Sequence, residues 1–399
     1  MRITCLLRCY PRSFITLAVV ATLIIGLLTV APGIIERDQN RVTGHPAYDI
    51  APSAAELHAG LRIADWHADS LLWNRDLLER GDRGHADIPR LQSGNVALQV
   101  FTAVTKAPAG RNYSSNTAGS DRITPLAMVQ LWPPRTWTDL TERALYQAQR
   151  LHGFADRAPD ELAVVTSSPG LERALQRRQR GDGELVIGLL GVEGLHAIEA
   201  DSSRLDELWN AGYRVFGLQH FFDNALGGSL HGTDKGGLTA FGRDVVRAID
   251  SRGGIIDVAH SSRAVVEDVL DLVNGPVVLS HTGMQGACDS PRNIPDHLMR
   301  RIAEQGGLIG IGYWEGAVCG TRPEDVVASI RYAVDLLGSD HVALGSDFDG
   351  SVETGFDASE LAVLTDTMLS RGFTREEIRK VMGGNTLRFL RTNLPNPSN

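Results

Sequence analysis

Seven residues of types that bind divalent metal or carry protons fall at comparable places along this chain, each at the end of a short apolar run. His67 and Asp69 stand in Asp65-Trp66-His67-Ala68-Asp69, and Glu193 in Gly191-Val192-Glu193-Gly194. His220 follows Leu218-Gln219, His260 closes Ile256-Asp257-Val258-Ala259, His281 follows Leu279-Ser280, and Asp347 opens Asp347-Phe348-Asp349. Imidazole and carboxylate together suit zinc, and a metal-activated water is a nucleophile for hydrolysis at neutral pH. In His67-x-Asp69 the alternate residues of an extended strand share a face, so both can meet one ion. Glu193 is the one acid at a middle strand, which makes it the candidate bridge between two ions. A carboxylate after an apolar strand is costly to bury without a cation or hydrogen bonds. Each residue alone reads more readily as structural than as a ligand, and Asp347 and Asp349 also fit a turn before Gly350. The joint placement is what points to chemistry. The other histidines (45, 58, 85, 152, 196, 231, 297 and 341) fall in loops or on expected helix faces and receive no role.

The elements that would gather these residues are legible in the hydrophobic pattern. Eight candidate strands cover 61–66, 96–103, 185–192, 214–219, 254–259, 276–280, 307–313 and 341–346. Several are continuous apolar runs, as parallel strands buried on both faces require. Helical patterns fall between them at 139–158, 205–211, 242–251, 263–273, 296–305 and 322–337, and a helix pair at 357–371 and 374–382 closes the chain. Eight strand–helix alternations predict a (β/α)8 barrel of the TIM type. In such a barrel the C-terminal ends of the strands form the active-site face, and six of the eight strands finish there on one of the residues above. The stretch 105–139, rich in Pro, Gly, Ser and Asn, reads as a long insertion after the second strand.

Bulk properties narrow the partners. With 39 Lys and Arg against 48 Asp and Glu, the chain of 399 residues carries a formal charge of −9. That argues against nucleic acid, which needs a basic face. Residues 13–35 hold no charged side chain, and Arg2, Arg8 and Arg12 precede them. Such a run can span a bilayer core of roughly 30 Å, with positive charge left on the cytoplasmic side. The expected layout is a basic cytoplasmic tail over 1–12, a transmembrane signal-anchor helix over 13–35, a polar tether over 36–54, a catalytic barrel over 55–391 and a polar tail over 392–399. The barrel would then lie on the extracytoplasmic, periplasmic side. A cleaved signal peptide is the alternative, although its apolar region would be long and Pro32 follows the small-residue site at 29–31. Cys5 and Cys9 precede the apolar run. Cys288 and Cys319 are the pair in the exported part, where a disulfide is permitted and two free buried thiols fit equally.

From about residue 63 to 390 the chain resembles the membrane dipeptidases, also called renal dipeptidases, of a bacterial-type branch. The resemblance rests on the segments quoted above together with His85-Ala86-Asp87-Ile88-Pro89-Arg90-Leu91 and Arg292-Asn293-Ile294-Pro295-Asp296. It implies a zinc metallopeptidase with two zinc ions per chain and a hydroxide bridging them. By resemblance, His67 and Asp69 hold one zinc, Glu193 bridges, and His260 and His281 hold the second. His220 stabilises the oxyanion, Arg292 binds the substrate carboxylate, and Asp347 shuttles the proton. Cys288 and Cys319 match a cysteine pair of the family, which favours the disulfide. The resemblance further implies dipeptides as substrates, including those with a C-terminal D-residue, and allows a homodimer. The segments 220–229 and 314–318 depart from the animal enzymes, so substrate preference is less determined than chemistry. A metal-dependent amidohydrolase or deaminase of the same barrel type is the competing enzyme reading. It commonly shows His-x-His where this chain has His67-x-Asp69. A membrane-tethered binding protein with an inactive site is the non-enzymatic alternative.

Overall fold

In the computed structural model, residues 30–181 and 183–396 are described, together with 16, 26 and 28. Eight parallel strands close on themselves: β1 (Ile63–Ala68), β2 (Val96–Val104), β3 (Val186–Glu193), β4 (Tyr213–Gly217), β5 (Ile255–Asp257), β6 (Val278–Thr282), β7 (Leu308–Ile311) and β8 (Val342–Leu344). Each pairs with its sequence neighbour, and β8 pairs with β1 through Leu344 and Asp65, which closes the ring. This is the expected eight-stranded barrel, with helices around it. The strand Leu162–Val164 adds beside the start of β3.

The strands are buried along nearly their whole length, which accounts for their continuous apolar runs. One apolar cluster takes a residue from every strand: Ala64, Leu98, Ile187, Val215, Ile255, Val278, Leu308 and Ala343. Only the inside of a closed barrel can collect all eight. Leu387 and Leu390 of the last helix, Asn385–Asn393, join the same cluster. A second cluster joins other strand positions to the surrounding helices. Val245, Val246 and Ile249 represent Ala240–Ser251, and Val326, Val327 and Ile330 represent Pro323–Leu337.

Several strands stop sooner than their apolar runs suggested. β5 ends at Asp257 and β8 at Leu344, three residues before His260 and Asp347. Both of those residues take left-handed backbone conformations, with φ of 61° and 60°. A non-glycine residue there ends an extended strand and redirects the side chain. The insertion contains more structure than its composition suggested: a helix over Ile123–Val129 and a 3₁₀ turn over Pro134–Trp137. Ile123, Leu126 and Ala127 of that helix pack with Leu72 and Trp73.

Most of the apolar run 13–35 lies outside the described residues. Among the described residues no helix is long and apolar enough to cross a membrane. The segment that follows, expected as a tether, is bound to the barrel. Glu36 is buried and pairs with Arg75 and Arg83 at 2.6 and 2.7 Å. Arg41–Val42 pairs as a parallel strand with Glu353–Thr354, and Asn40 Oδ1 accepts from the Ser351 amide.

Cys288 and Cys319 form a disulfide, with Cα atoms 5.6 Å apart. It joins the loop after β6 to the loop after β7. Closing a loop of 31 residues removes chain entropy worth about 3–4 kcal/mol from the unfolded state. Replacing both cysteines by serine should therefore lower stability by about 2–4 kcal/mol in chemical denaturation. An unchanged midpoint would show that the bridge adds nothing to the folded chain.

Candidate metal centre

The barrel brings His67, Asp69, Glu193, His220, His260, His281 and Asp347 to one mouth, all of them buried. His67 lies within β1 and His281 within β6, Glu193 is the last residue of β3, and the others stand just beyond their strands. The focus is one oxygen. Glu193 Oε1 lies 3.5 Å from His67 Nε2, 3.1 Å from His260 Nε2 and 3.4 Å from His281 Nε2. Glu193 Oε2 faces His220 Nε2 at 3.2 Å. His67 Nε2 also faces Asp69 at 3.5 Å and Asp347 at 4.0 Å.

Backbone features place Glu193. It is followed by Gly194 at φ 92°, where a Cβ would come within 2.4 Å of the His196 ring. A side chain at that position would strain the backbone and push against the His196 ring. Gly350 is a second close approach, since a Cβ there would collide with Asp347 Oδ1.

Partners behind the cluster orient its rings. Ser280 Oγ stands 2.9 Å from His281 Nδ1 and donates to Asp257 at 2.6 Å, so His281 turns Nε2 toward Glu193. Thr102 Oγ1 donates to Asp69 at 2.5 Å. The buried Asp65 carboxylate accepts from the His67 amide at 3.1 Å, from Gln99 at 2.9 Å and from the Ser346 amide at 2.8 Å. It thereby ties the top of β1 to the loop carrying Asp347. His220 Nδ1 donates to the Lys106 carbonyl at 3.1 Å. In the neutral ring Nε2 is therefore a bare lone pair, and His220 can donate from Nε2 only as an imidazolium.

The electrostatics call for a cation. Burial, reinforced by the charge of Asp69, pushes the Glu193 carboxyl well above its ordinary range. Burial and Asp69 likewise push Asp347 up to about 7, against the pull of His67 and Arg292. Burial lowers His220, His260 and His281 well below the usual imidazole value, leaving lone pairs free to ligate. Burial would lower His67 too, but Asp69, Glu193 and Asp347 outweigh it and carry the ring to about 10. A divalent cation satisfies the same three carboxylates and takes up the imidazole lone pairs. The orphaned atoms agree: His67 Nε2 is buried without a hydrogen-bond partner, and the Nε2 atoms of His260 and His281 face each other at 2.9 Å. Three sets of donors could each hold an ion: His67 with Glu193 and His281, Glu193 with His220 and His260, and His67 with Asp69 and Asp347. The residues fit a metal centre.

Arg292 is buried against this cluster. Its Nη2 donates to the His281 carbonyl at 2.6 Å, its Nε lacks a partner, and it has no ion-pair partner among the described residues. Asn293 fixes the loop beside it, accepting from the Gly283 amide and donating to the Cys288 and Ala317 carbonyls.

Other residues at the mouth were not signalled by motif. Arg111 and Tyr113 reach in from the insertion, and Phe221 and Trp314 complete the wall. Trp314 Nε1 donates to the Tyr113 hydroxyl at 2.8 Å. The length of the insertion was the available signal, since long loops in compact domains commonly serve function. Four histidines left without a role are buried, and of these His58 lies away from the mouth, 2.9 Å from Thr365 Oγ1. His231 packs against His260, and His196 is 2.9 Å from Thr105 Oγ1. His85, with Ser70 and Arg75, surrounds the buried Asp349. Asp349 is thus a charged anchor as well as a turn residue.

The sequence model of the membrane dipeptidase family (peptidase family M19) matches residues 52–397. The chain is 29% identical over 320 residues to dipeptidase tcpJ of Claviceps purpurea, covering 77% of this chain and 69% of that protein. The probable dipeptidase PvdM from Pseudomonas aeruginosa superposes with a TM-score of 0.70 at 20% identity, over 85% of this chain and 97% of that one. A metallopeptidase from Rhodobacter sphaeroides, solved with a phosphinate mimic of L-Ala-D-Ala, gives 0.67 at 23% identity, over 84% and 99%.

Metal content distinguishes a ligand from a proton carrier among these donors. His281→Ala should lose about half or more of the metal measured by elemental analysis, whereas Asp347→Asn should keep it. Full metal content in His281→Ala would remove that residue from the ligand set.

Proposed function

The chain belongs to the membrane dipeptidase family, peptidase family M19, a metallopeptidase family, and from that premise we propose that it hydrolyses dipeptides, including those ending in a D-residue, at a site for two zinc ions. One buried feature carries the choice of a dipeptide: the Arg292 guanidinium, without an acidic partner among the described residues, facing the same cavity as Glu193 and His220. An unpaired buried cation is costly, and a substrate carboxylate offsets that cost through a two-pronged contact. A clamp on a terminal carboxylate leaves room for one residue between it and the scissile bond.

His67 and Asp69 would hold one ion, His260 and His281 the other, with Glu193 between them. Zinc, when bound, supplies a Lewis acid and lowers the pKa of water to about 7. His220 holds its Nδ1 proton on the Lys106 carbonyl and rests neutral, so it donates to the scissile carbonyl oxygen only as an imidazolium. Negative charge building on that oxygen raises the basicity of the ring, Nε2 takes a proton from solvent, and the ring returns it to solvent once the C–N bond has broken. Donors of this kind contribute about 3–4 kcal/mol. Asp347 faces His67 at 4.0 Å and lines the same cavity as Glu193 and Arg292, which places it to accept the proton of the attacking water and return it to the leaving amine. Tolerance of a D-residue is supported by the ligand of the Rhodobacter sphaeroides relative.

The proposal also takes residues 13–35 as a membrane anchor with the barrel on the periplasmic side, supported by 23 uncharged positions behind Arg2, Arg8 and Arg12.

Arg292→Ala should lower kcat/KM for dipeptides by about a hundredfold or more while affecting the matching dipeptide amides far less. Equal losses on both would remove the carboxylate clamp. In cell fractionation the full chain should sediment with membranes, and a chain lacking 1–35 should not; the same distribution for both would rule the anchor out.

A further inference from the structure

The cavity at the barrel mouth has two arms that meet at Asp69, Glu193 and His220. One arm runs toward Arg292, His260 and Trp314. The other runs away from Arg292, between Leu72, Trp73, Val104, Ile123 and Leu126, and its polar wall includes Arg111 and Arg122. On the dipeptidase reading above, the scissile carbonyl sits where the arms meet and the C-terminal carboxylate occupies the Arg292 arm. The side chain of the N-terminal residue then has the second arm to itself.

That arm is apolar along its sides and positive where the arginines stand. Arg111 Nη2 donates to the Ser351 and Gly350 carbonyls at 2.6 and 3.2 Å, and its guanidinium stacks 5.1 Å from the Phe221 ring centre. Arg122 Nη2 donates to Gln39 Oε1 at 2.7 Å. Neither guanidinium has a carboxylate partner among the described residues, although the protein pairs most of its other half-buried arginines with acids. The charge that Arg122 feels most is repulsion from Arg111, which adds to burial in lowering it to about 10. Two guanidiniums without carboxylate partners, lining one arm with apolar sides, offer a receptor for an anion.

We propose that the site selects dipeptides whose N-terminal residue carries an acidic side chain, with Arg122 and Arg111 receiving that carboxylate. Arg122 lines only the second arm, so it carries the selection. Arg111 lines both arms and supports it. The methylene groups of a glutamate side chain would lie along Leu72, Ile123 and Leu126.

The test compares kcat/KM for Glu-Ala, Gln-Ala and Leu-Ala in the metal-loaded enzyme and in R111Q, R122Q and R122K. The expected result is a Glu-Ala over Gln-Ala preference of about tenfold or more. That ratio should fall toward one in R111Q and R122Q and be largely kept in R122K, where the charge survives. A ratio near one in the unaltered enzyme, with Gln-Ala turned over well, overturns the selection while leaving the dipeptidase reading intact. A high ratio that persists in both glutamine variants overturns the assignment to these arginines. Failure to cleave any of the three dipeptides overturns the dipeptidase reading itself, and this inference with it.

Discussion

Three imidazole nitrogens converge on one carboxylate oxygen of Glu193, inside a mouth from which bulk water is largely excluded. In that environment neither the carboxylate nor the crowded lone pairs are tolerable without a cation among them. The arrangement is therefore a demand for metal built into the fold. The closed barrel meets that demand by construction, since residues separated by more than two hundred positions reach the same point only because every strand ends on the same rim. The continuous apolar strands hold the floor, and the loops above them are free to carry polar groups.

The direction in which each ring points is set by what lies behind it. Ser280 and Asp257 orient His281, and the Lys106 carbonyl fixes the proton of His220 on Nδ1. The same ring could serve as a ligand with its bare nitrogen or as a donor once charged. Its placement 3.2 Å from Glu193 leaves both roles geometrically open, and burial decides that the ring rests neutral. Outer partners of this kind commonly matter to metal sites nearly as much as the ligands they hold.

Much of this was legible in the sequence for a simple reason. A parallel strand buried on both faces leaves an unbroken apolar run, and a metal-type residue at its end stands out against it. The cores of all eight strands and the seven residues at their ends could be found that way. What could not be read has equally physical causes. Asp65 looked like one more polar residue of a motif, because its role depends on Gln99 and Ser346, which reach it only after the barrel closes. Arg292 was signalled by the resemblance and not by its own surroundings, since burial of a loop is a tertiary fact. Arg111, Arg122 and Tyr113 lie in a segment whose composition signals irregular chain, and nothing local reveals that it folds back over the mouth. The early ends of β5 and β8 come from left-handed backbone at His260 and Asp347, a conformation that propensity does not favour for either residue.

The fastening of the segment 36–43 onto the rim has a mechanical meaning. Glu36 grips Arg75, which in turn grips Asp349, and residues 41 and 42 lie strand-to-strand against 353 and 354. No slack chain separates residue 35 from the loop that bears Asp347. A pull on the chain at residue 36 would therefore reach the loop bearing Asp347 directly, through two ion pairs and a strand pairing, with no loose length to absorb it.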